Sequence, residues 1–118
     1  MTRPAAIVCA LLQVAVAAIF LFAGSKKLMA DPQMVAVFAK VGVGQWFRLL
    51  TGALEVGGGI ALVVPRTAAF AALGLAIVMV GATIAHLTVL GGSPALAIML
   101  FVACATIAWL RRASLTRG

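Results

Sequence analysis

Charged residues are scarce in this sequence of 118 residues: 9% are Asp, Glu, Lys or Arg, whereas 65% are hydrophobic. Soluble domains usually carry about 25% charged residues, so this chain has too few charges to cover a water-facing surface. The shortage argues against a soluble domain and points to lipid as the surrounding solvent. A membrane-spanning helix takes roughly 20 apolar residues. Four such helices would use nearly the whole chain, so we expect one membrane domain, residues 1–118.

Acidic residues are the rarest charged class, with two acids against nine Lys and Arg and a net charge of +7. In a soluble protein such an excess would suggest nucleic acid as the partner. Here the basic residues lie between and beyond the apolar segments, where Lys and Arg extend to lipid headgroups and set topology. We therefore expect the lipid bilayer, and no nucleic acid, as the partner.

Residues that commonly carry chemistry are also few. Cys9 and Cys104 form no Cys-x-x-Cys pair, and His86 is the only histidine, so no redox or zinc motif is visible. No nucleophile, base and orienting residue form a hydrolytic set. No motif would hold a flavin, haem or iron–sulfur cluster. The sequence predicts no metal and no cofactor held by the chain itself, and it leaves open a bound quinone or lipid. Whether the chain acts within an enzyme stays open, and a membrane subunit is favoured over an enzyme that acts alone.

Four apolar segments indicate an all-α fold with four transmembrane helices, at approximately 5–24, 46–64, 67–90 and 94–110. No small-x-small cleavage site follows the first segment, so we expect it to be retained rather than removed as a signal peptide. The turns at 65–66 and 91–94 are too short for anything but antiparallel hairpins. An up-down-up-down antiparallel bundle follows, with both termini on one side.

The segment between helices one and two has a different pattern. Asp31 and Pro32 resemble a helix cap followed by proline at the first helical position. Apolar residues then recur at helical spacing until Gly42. We predict a short helix at 32–40 that lies at the membrane interface with Lys40 on its polar side. An ordered loop without helix is the alternative.

Basic residues are distributed almost evenly between the two ends of the predicted bundle. The end that holds the termini has five, and the opposite end has four (Arg3, Arg66, Arg111, Arg112 and Arg117 against Lys26, Lys27, Lys40 and Arg48). The excess of one favours cytoplasmic termini by the positive-inside rule.

Glu55 is the most informative residue because it lies near the middle of helix two. An ionised carboxylate at that depth costs several kcal/mol unless it is paired, protonated or hydrated. Gly52 and Gly59 share its helix face, and small residues mark close helix contacts in membranes. We expect Glu55 to face the bundle, either as a proton-carrying or ligand-binding carboxylate or as a polar clamp between helices.

We predict a polar pocket of five residues. Besides Glu55 and Lys27, it contains Arg48, Trp46 and His86. Lys27 is the expected partner of Glu55, because its helix ends at the right side and its stem can extend inward. Arg48 competes for Glu55, being two turns away on the same helix face. His86 lies at the level of Trp46. It either binds a loop carbonyl or exchanges protons at the pocket mouth.

The order of short motifs resembles that of the DoxX-like family of membrane proteins. The matching segments are GSKKL at 24–28, RLLTGALE at 48–55, VPR at 64–66 and GATIAH at 81–86. The resemblance implies a four-helix fold in a bacterial inner membrane and carries Lys27, Glu55 and His86 over as family positions. Some members of the family are associated with membrane oxidoreductases, including a thiosulfate:quinone oxidoreductase subunit.

Three functions remain open at the level of sequence. The first is an oxidoreductase-associated subunit that binds a quinone or other small lipophile. The second is a non-catalytic accessory of a larger membrane complex with a membrane or peripheral partner subunit. The third is a proton-coupled transporter of a lipophilic solute. A homo-oligomer is compatible with each of them.

Overall fold

The computed structural model describes residues 1–115, apart from the side chain of Ser114, and this part of the chain is helical without any strand. Arg117, which entered the charge balance above, lies outside the described residues. The five α-helices are α1 (Arg3–Leu28), α2 (Pro32–Val41), α3 (Gln45–Leu62), α4 (Ala68–Ala85) and α5 (Ala95–Leu110). A π-helical turn at His86–Leu90 extends α4, and a 3-10 turn at Arg112–Leu115 follows α5.

The four long helices pack side by side in a fixed order. The main pairs are α1 with α3 and α4 with α5; α3 joins the two pairs by contacting α4, and α1 also touches α5. Contacts between α1 and α3 run in opposite directions along the two helices, because Gly24 lies against Gly52 while Ala17 lies against Gly59. The two helices are therefore antiparallel, as the sequence predicts.

Two of the described helices are long and apolar enough to cross a membrane by length and composition. They are α1 and the continuous Ala68–Leu90 segment, with mean hydropathies of 2.7 and 2.3. The Ala95–Leu110 helix is apolar but shorter, with a length of about 24 Å at about 1.5 Å per residue. Gln45, Arg48 and Glu55 lower the hydropathy of α3.

Helix α1 continues one turn beyond Gly24, where the sequence analysis ended it, and this expectation was wrong. Gly24 does not cap the helix: a Cβ built on it would lie 2.8 Å from the Gly52 carbonyl oxygen of α3. The glycine allows α1 and α3 to approach closely and does not end α1. As a result Lys26 and Lys27 belong to the last helical turn, and their side chains have fixed directions on the helix.

The three consecutive glycines of α3 have different surroundings. A Cβ on Gly59 would meet the Ala17 carbonyl oxygen of α1 at 3.2 Å, and one on Gly58 would meet the Leu75 side chain of α4 at 2.8 Å. A Cβ on Gly57 would meet nothing within 4 Å. Two of the three glycines therefore allow α3 to sit closely between α1 and α4.

The interior of the bundle is built of small and medium-sized side chains, whereas many large apolar side chains are exposed. Fully buried positions include Cys9, Ala69, Ala72 and Cys104, and Phe20 is the largest fully buried side chain among the described residues. Exposed apolar residues occur on all four long helices, for example Leu11, Leu54, Ile77 and Met99. Such an exposed apolar surface is typical of a protein that contacts lipid.

Helix α2 occupies the linker between α1 and α3, as the Asp31–Pro32 start predicts. Gly42 ends it in the left-handed conformation at φ +81°, which glycine adopts without steric cost. Phe38 is buried and meets the Phe47 ring edge-on at 5.9 Å. Gln45 donates its amide N–H to the Val35 carbonyl at 3.1 Å. These contacts hold α2 against the start of α3.

The end of α4 differs from the continuous α-helix predicted to Leu90. The α-helical geometry stops at Ala85, and the next five residues form a π-helical turn closed by the Gly91 N–H on the His86 carbonyl at 3.1 Å. Gly91 and Gly92 follow with φ of +71° and +70°. Since such angles are easily adopted by glycine, the pair ends the helix and turns the chain toward α5.

The packing predicts opposite effects for two Gly→Ala variants. Gly24→Ala should lower the free energy of unfolding by about 1–3 kcal/mol, because its Cβ overpacks against the backbone of α3. Gly74→Ala is the matched control, since a Cβ there meets nothing within 4 Å and alanine favours the helix by about 0.5–1 kcal/mol. Thermal unfolding in mild detergent measures both. Equal shifts for the two variants would contradict the close crossing.

Candidate functional site

An ion pair between Lys27 of α1 and Glu55 of α3 forms the centre of the candidate site. Lys27 Nζ lies 2.7 Å from Glu55 Oε1, and the exposed fractions of the two side chains are 13% and 3%. Glu55 therefore points into the bundle and meets the cation predicted from the sequence. A pair buried in this way is costly to separate, because each charge would be left without compensation.

Glycines allow the two charged side chains to meet. A Cβ on Gly24 would lie 3.0 Å from the Glu55 Cβ, and one on Gly52 would lie 2.9 Å from the Lys27 Cβ. Each glycine thus makes room for the partner helix at the root of a charged side chain. The backbones approach closely at this level, so the lysine stem spans the remaining distance to the carboxylate.

The contact between the charges leaves further acceptor capacity on the Glu55 carboxylate. Oε1 is buried and lies 2.7 Å from the Lys27 ammonium nitrogen. A carboxylate oxygen can accept more than one hydrogen bond, so Oε1 keeps capacity for a donor beside the cation.

Arg48 is buried, but it forms a hydrogen bond to the backbone of α1 and not to Glu55. Its guanidinium donates from Nη1 to the Lys27 carbonyl oxygen and from Nε to Gln45 Oε1, the latter at 2.8 Å. The carbonyls of the last helical turn lack partners within their own helix, and Arg48 supplies one. It therefore fixes the backbone of the residue whose side chain pairs with Glu55.

Trp46 and His86 are placed away from the ion pair. The Trp46 ring is 59% exposed, and its N–H donates to the Val43 carbonyl at 3.1 Å. His86 Nδ1 lies 3.1 Å from the Gly91 carbonyl oxygen, which matches the loop-carbonyl alternative. Of the five predicted pocket residues, the structure brings Lys27, Glu55 and Arg48 together by direct contacts and gives Trp46 and His86 other partners.

A second polar cluster, which the sequence analysis missed, centres on Gln13 of α1. This buried side chain donates to the Leu62 carbonyl at the end of α3 at 2.8 Å and accepts from Arg111 Nε at 3.0 Å. The Cys9 thiol lies 3.4 Å from the same amide oxygen. The cluster joins the N-terminal half of α1 to the C-terminal ends of α3 and α5. The signal in the sequence that could have indicated this cluster was a single Gln within an apolar helix.

One surface cleft of about 780 Å³ lies at the end of the bundle that holds the N-terminus, far along α1 from Lys27. Its walls come from the start of α1 and the end of α5, with Ala5 and Leu110 among them. No Asp or Glu is among the described residues that line it, so it is separate from the ion-pair site. Within residues 1–115, no three or more His, Cys, Asp or Glu side chains are grouped to hold a metal ion.

The comparison with known families covers most of the chain. The family model described as DoxX-like family matches residues 11–113. The chain belongs to the DoxX-like family. Lys27, Glu55 and Gln13 all fall within the matched region, and family membership together with the apolar helices indicates a small membrane protein. No curated protein and no solved structure matches the chain.

For this DoxX-like protein, a double-mutant cycle tests the ion pair. Lys27→Met and Glu55→Gln should each destabilise the bundle, since removing one member of a buried pair costs about 3–5 kcal/mol. The double variant should lose less than the sum, because neither charge is then stranded.

Thermal stability in mild detergent measures the cycle. Lys26→Met is the control, because Lys26 lies over the Phe22 ring at 5.0 Å and should contribute little. Strictly additive losses for the two partners, or an equal loss for Lys26→Met, would refute the pairing.

Proposed function

We propose that α1, α3, α4 and α5 cross the bilayer as one membrane domain, residues 1–118, with α2 at the interface. The long axis of the molecule is 45 Å, close to the about 40–45 Å of a bilayer with its headgroups. The polar side chains of α3 that lower its hydropathy, Arg48 and Glu55, are buried, so its outer surface is apolar. Trp46 and Trp109 are exposed at opposite ends, as interfacial aromatic belts would require.

The charge distribution supports cytoplasmic termini, by the margin of one basic residue given above. Reporter fusions at Met1 and Gly118 should both give cytoplasmic signals, and an insertion at Ser93 should give a signal from the same side as one at Ala30. Termini on opposite sides would rule out four spans, whereas two extracytoplasmic termini would overturn the orientation alone.

We propose that the protein is a membrane subunit associated with an oxidoreductase, and that it binds a quinone or other small lipophile at Lys27 and Glu55. The observation that carries the proposal is the buried ion pair, in which Glu55 Oε1 lies 2.7 Å from the Lys27 ammonium nitrogen. A quinone carbonyl accepts from an ammonium, and a quinol hydroxyl donates to a carboxylate. The pair therefore offers a complementary group to each redox form.

Access to this site is expected along the side of Lys27, whose side chain keeps 13% exposure while that of Glu55 keeps 3%. A lipophile arriving from the membrane would meet the ammonium first and the carboxylate behind it. No sequence motif would hold a flavin, haem or iron–sulfur cluster, and a partner subunit is proposed to supply the electrons. The role proposed here is to bind and orient the ring and to hold its proton.

A non-catalytic accessory role is the second candidate, and the tight packing at Gly24 and Gly52 favours it. Both glycines touch the partner helix, so the ion pair could serve as a clamp that fixes a surface for another subunit. In that case the pair would matter for assembly and not for ligand affinity.

Binding of a short-chain benzoquinone to the purified protein in mild detergent separates these roles. The intact chain should bind it saturably, and Glu55→Gln and Lys27→Met should weaken binding by about tenfold or more, as expected for loss of a charged hydrogen bond. Lys26→Met should leave binding unchanged.

Glu55→Asp keeps the charge and replaces Glu55→Gln if that variant unfolds the bundle. It should bind the benzoquinone with an affinity between those of the intact chain and Lys27→Met. Absence of saturable binding, or equal weakening by Lys26→Met, would reject the ligand site. A stoichiometric partner that dissociates from the Glu55 and Lys27 variants, without quinone binding, would favour the accessory role.

A further inference from the structure

The end of the bundle that carries the N-terminus is cationic and contains no acidic side chain. Both acidic residues of the sequence, Asp31 and Glu55, lie elsewhere: Asp31 precedes α2, and Glu55 is paired with Lys27. Arg3 lies in the first turn of α1, and Arg112 begins the 3-10 turn that follows α5. Within the described residues, no acidic side chain offsets these charges.

The cleft at this end combines apolar walls with a cationic rim. Ala5, Leu110 and Leu115 contribute apolar surface, and Arg112 contributes a guanidinium. The volume of about 780 Å³ falls within the range of about 300–1,000 Å³ that is usual for small-molecule sites. An occupant that fits both features has a hydrocarbon part and an anionic head.

Arg112 is held in an orientation suited to an anionic head. Its guanidinium carbon lies 4.1 Å from the centroid of the Trp109 ring, and Nη1 donates to the Trp109 carbonyl at 2.7 Å. The fixed plane leaves other N–H groups of the guanidinium for a second acceptor. Arginine binds phosphate with two parallel N–H groups, so a phosphate group is the expected acceptor.

We propose that this cleft binds an anionic phospholipid, with the acyl chain against Ala5 and Leu110 and the phosphate at Arg112. The site is independent of any ligand at Lys27 and Glu55. It agrees with the proposed orientation, because the cytoplasmic leaflet carries the anionic lipids that attract basic segments.

The test uses delipidated full-length protein in mild detergent, titrated with phosphatidylglycerol, phosphatidylcholine or inorganic phosphate. Phosphatidylglycerol should raise the thermal midpoint saturably at concentrations where the other two do not. Arg112→Gln should weaken that response by about fivefold, the effect of one basic residue near an anionic surface. Lys26→Gln is the matched control, since Lys26 also lies over an aromatic ring, Phe22, but near the other end of α1; it should leave the response unchanged.

A second variant tests the apolar part of the cleft without changing the charge. Ala5→Phe fills the wall and should weaken the phosphatidylglycerol response while the protein stays folded. Equal stabilisation by phosphatidylcholine, an equal response to inorganic phosphate, equal loss in Lys26→Gln, or full retention in both Arg112→Gln and Ala5→Phe would overturn the proposal. If Arg112→Gln does not fold, Arg112→Lys replaces it. Its phosphatidylglycerol response should lie between that of the wild type and that of Ala5→Phe.

Discussion

The close crossing of α1 and α3 at Gly24 and Gly52 is the contact on which the candidate site depends. At this level a side chain as small as alanine would meet the opposite backbone, since a Cβ on either glycine lies within about 3 Å of a carbonyl oxygen of the other. The short separation lets the Lys27 side chain reach Glu55. A wider crossing would leave a carboxylate in the middle of an apolar bundle without compensation, which costs several kcal/mol.

The distribution of polarity follows from the same packing. Gln13, Arg48 and Glu55 are buried, while leucine, isoleucine and valine side chains cover the outer surface. In lipid there is no hydrophobic force between helices, so association relies on tight packing and polar contacts. The interior provides both: glycines bring α3 against its neighbours, and the polar residues connect α1 to α3 at two levels, Gln13 near one end and Lys27 near the other.

Much of this arrangement could be predicted from the sequence, because the relevant signals are local. Glu55 with glycines on the same helix face indicated an inward carboxylate, and the position of Lys27 at the end of its helix indicated its partner. The helix after Pro32 and its end at Gly42 followed from capping residues. The membrane character followed from the shortage of charge.

The remaining features depend on contacts between segments, which a single sequence does not encode locally. Gly24 was interpreted as a helix end, although the glycine faces Gly52 and the helix continues to Leu28. Arg48 was expected to compete with Lys27 for Glu55, yet it donates to the Lys27 carbonyl. That carbonyl can accept this bond because it lies in the last turn of α1. The role of Gln13 depends on Leu62 and Arg111, which are 49 and 98 residues away.

The distance between Lys27 Nζ and the Glu55 carboxyl carbon in lipid bilayers is the most direct measure of the account. Solid-state NMR on protein labelled with 15N-lysine and 13C-glutamate can report it, with Lys27→Met to assign the signal. A contact within about 4 Å, the range of a salt bridge, is expected in the unaltered protein, and a longer distance is expected in Gly24→Val. A separation beyond about 6 Å in the unaltered protein, where opposite charges cease to be close partners, would contradict it.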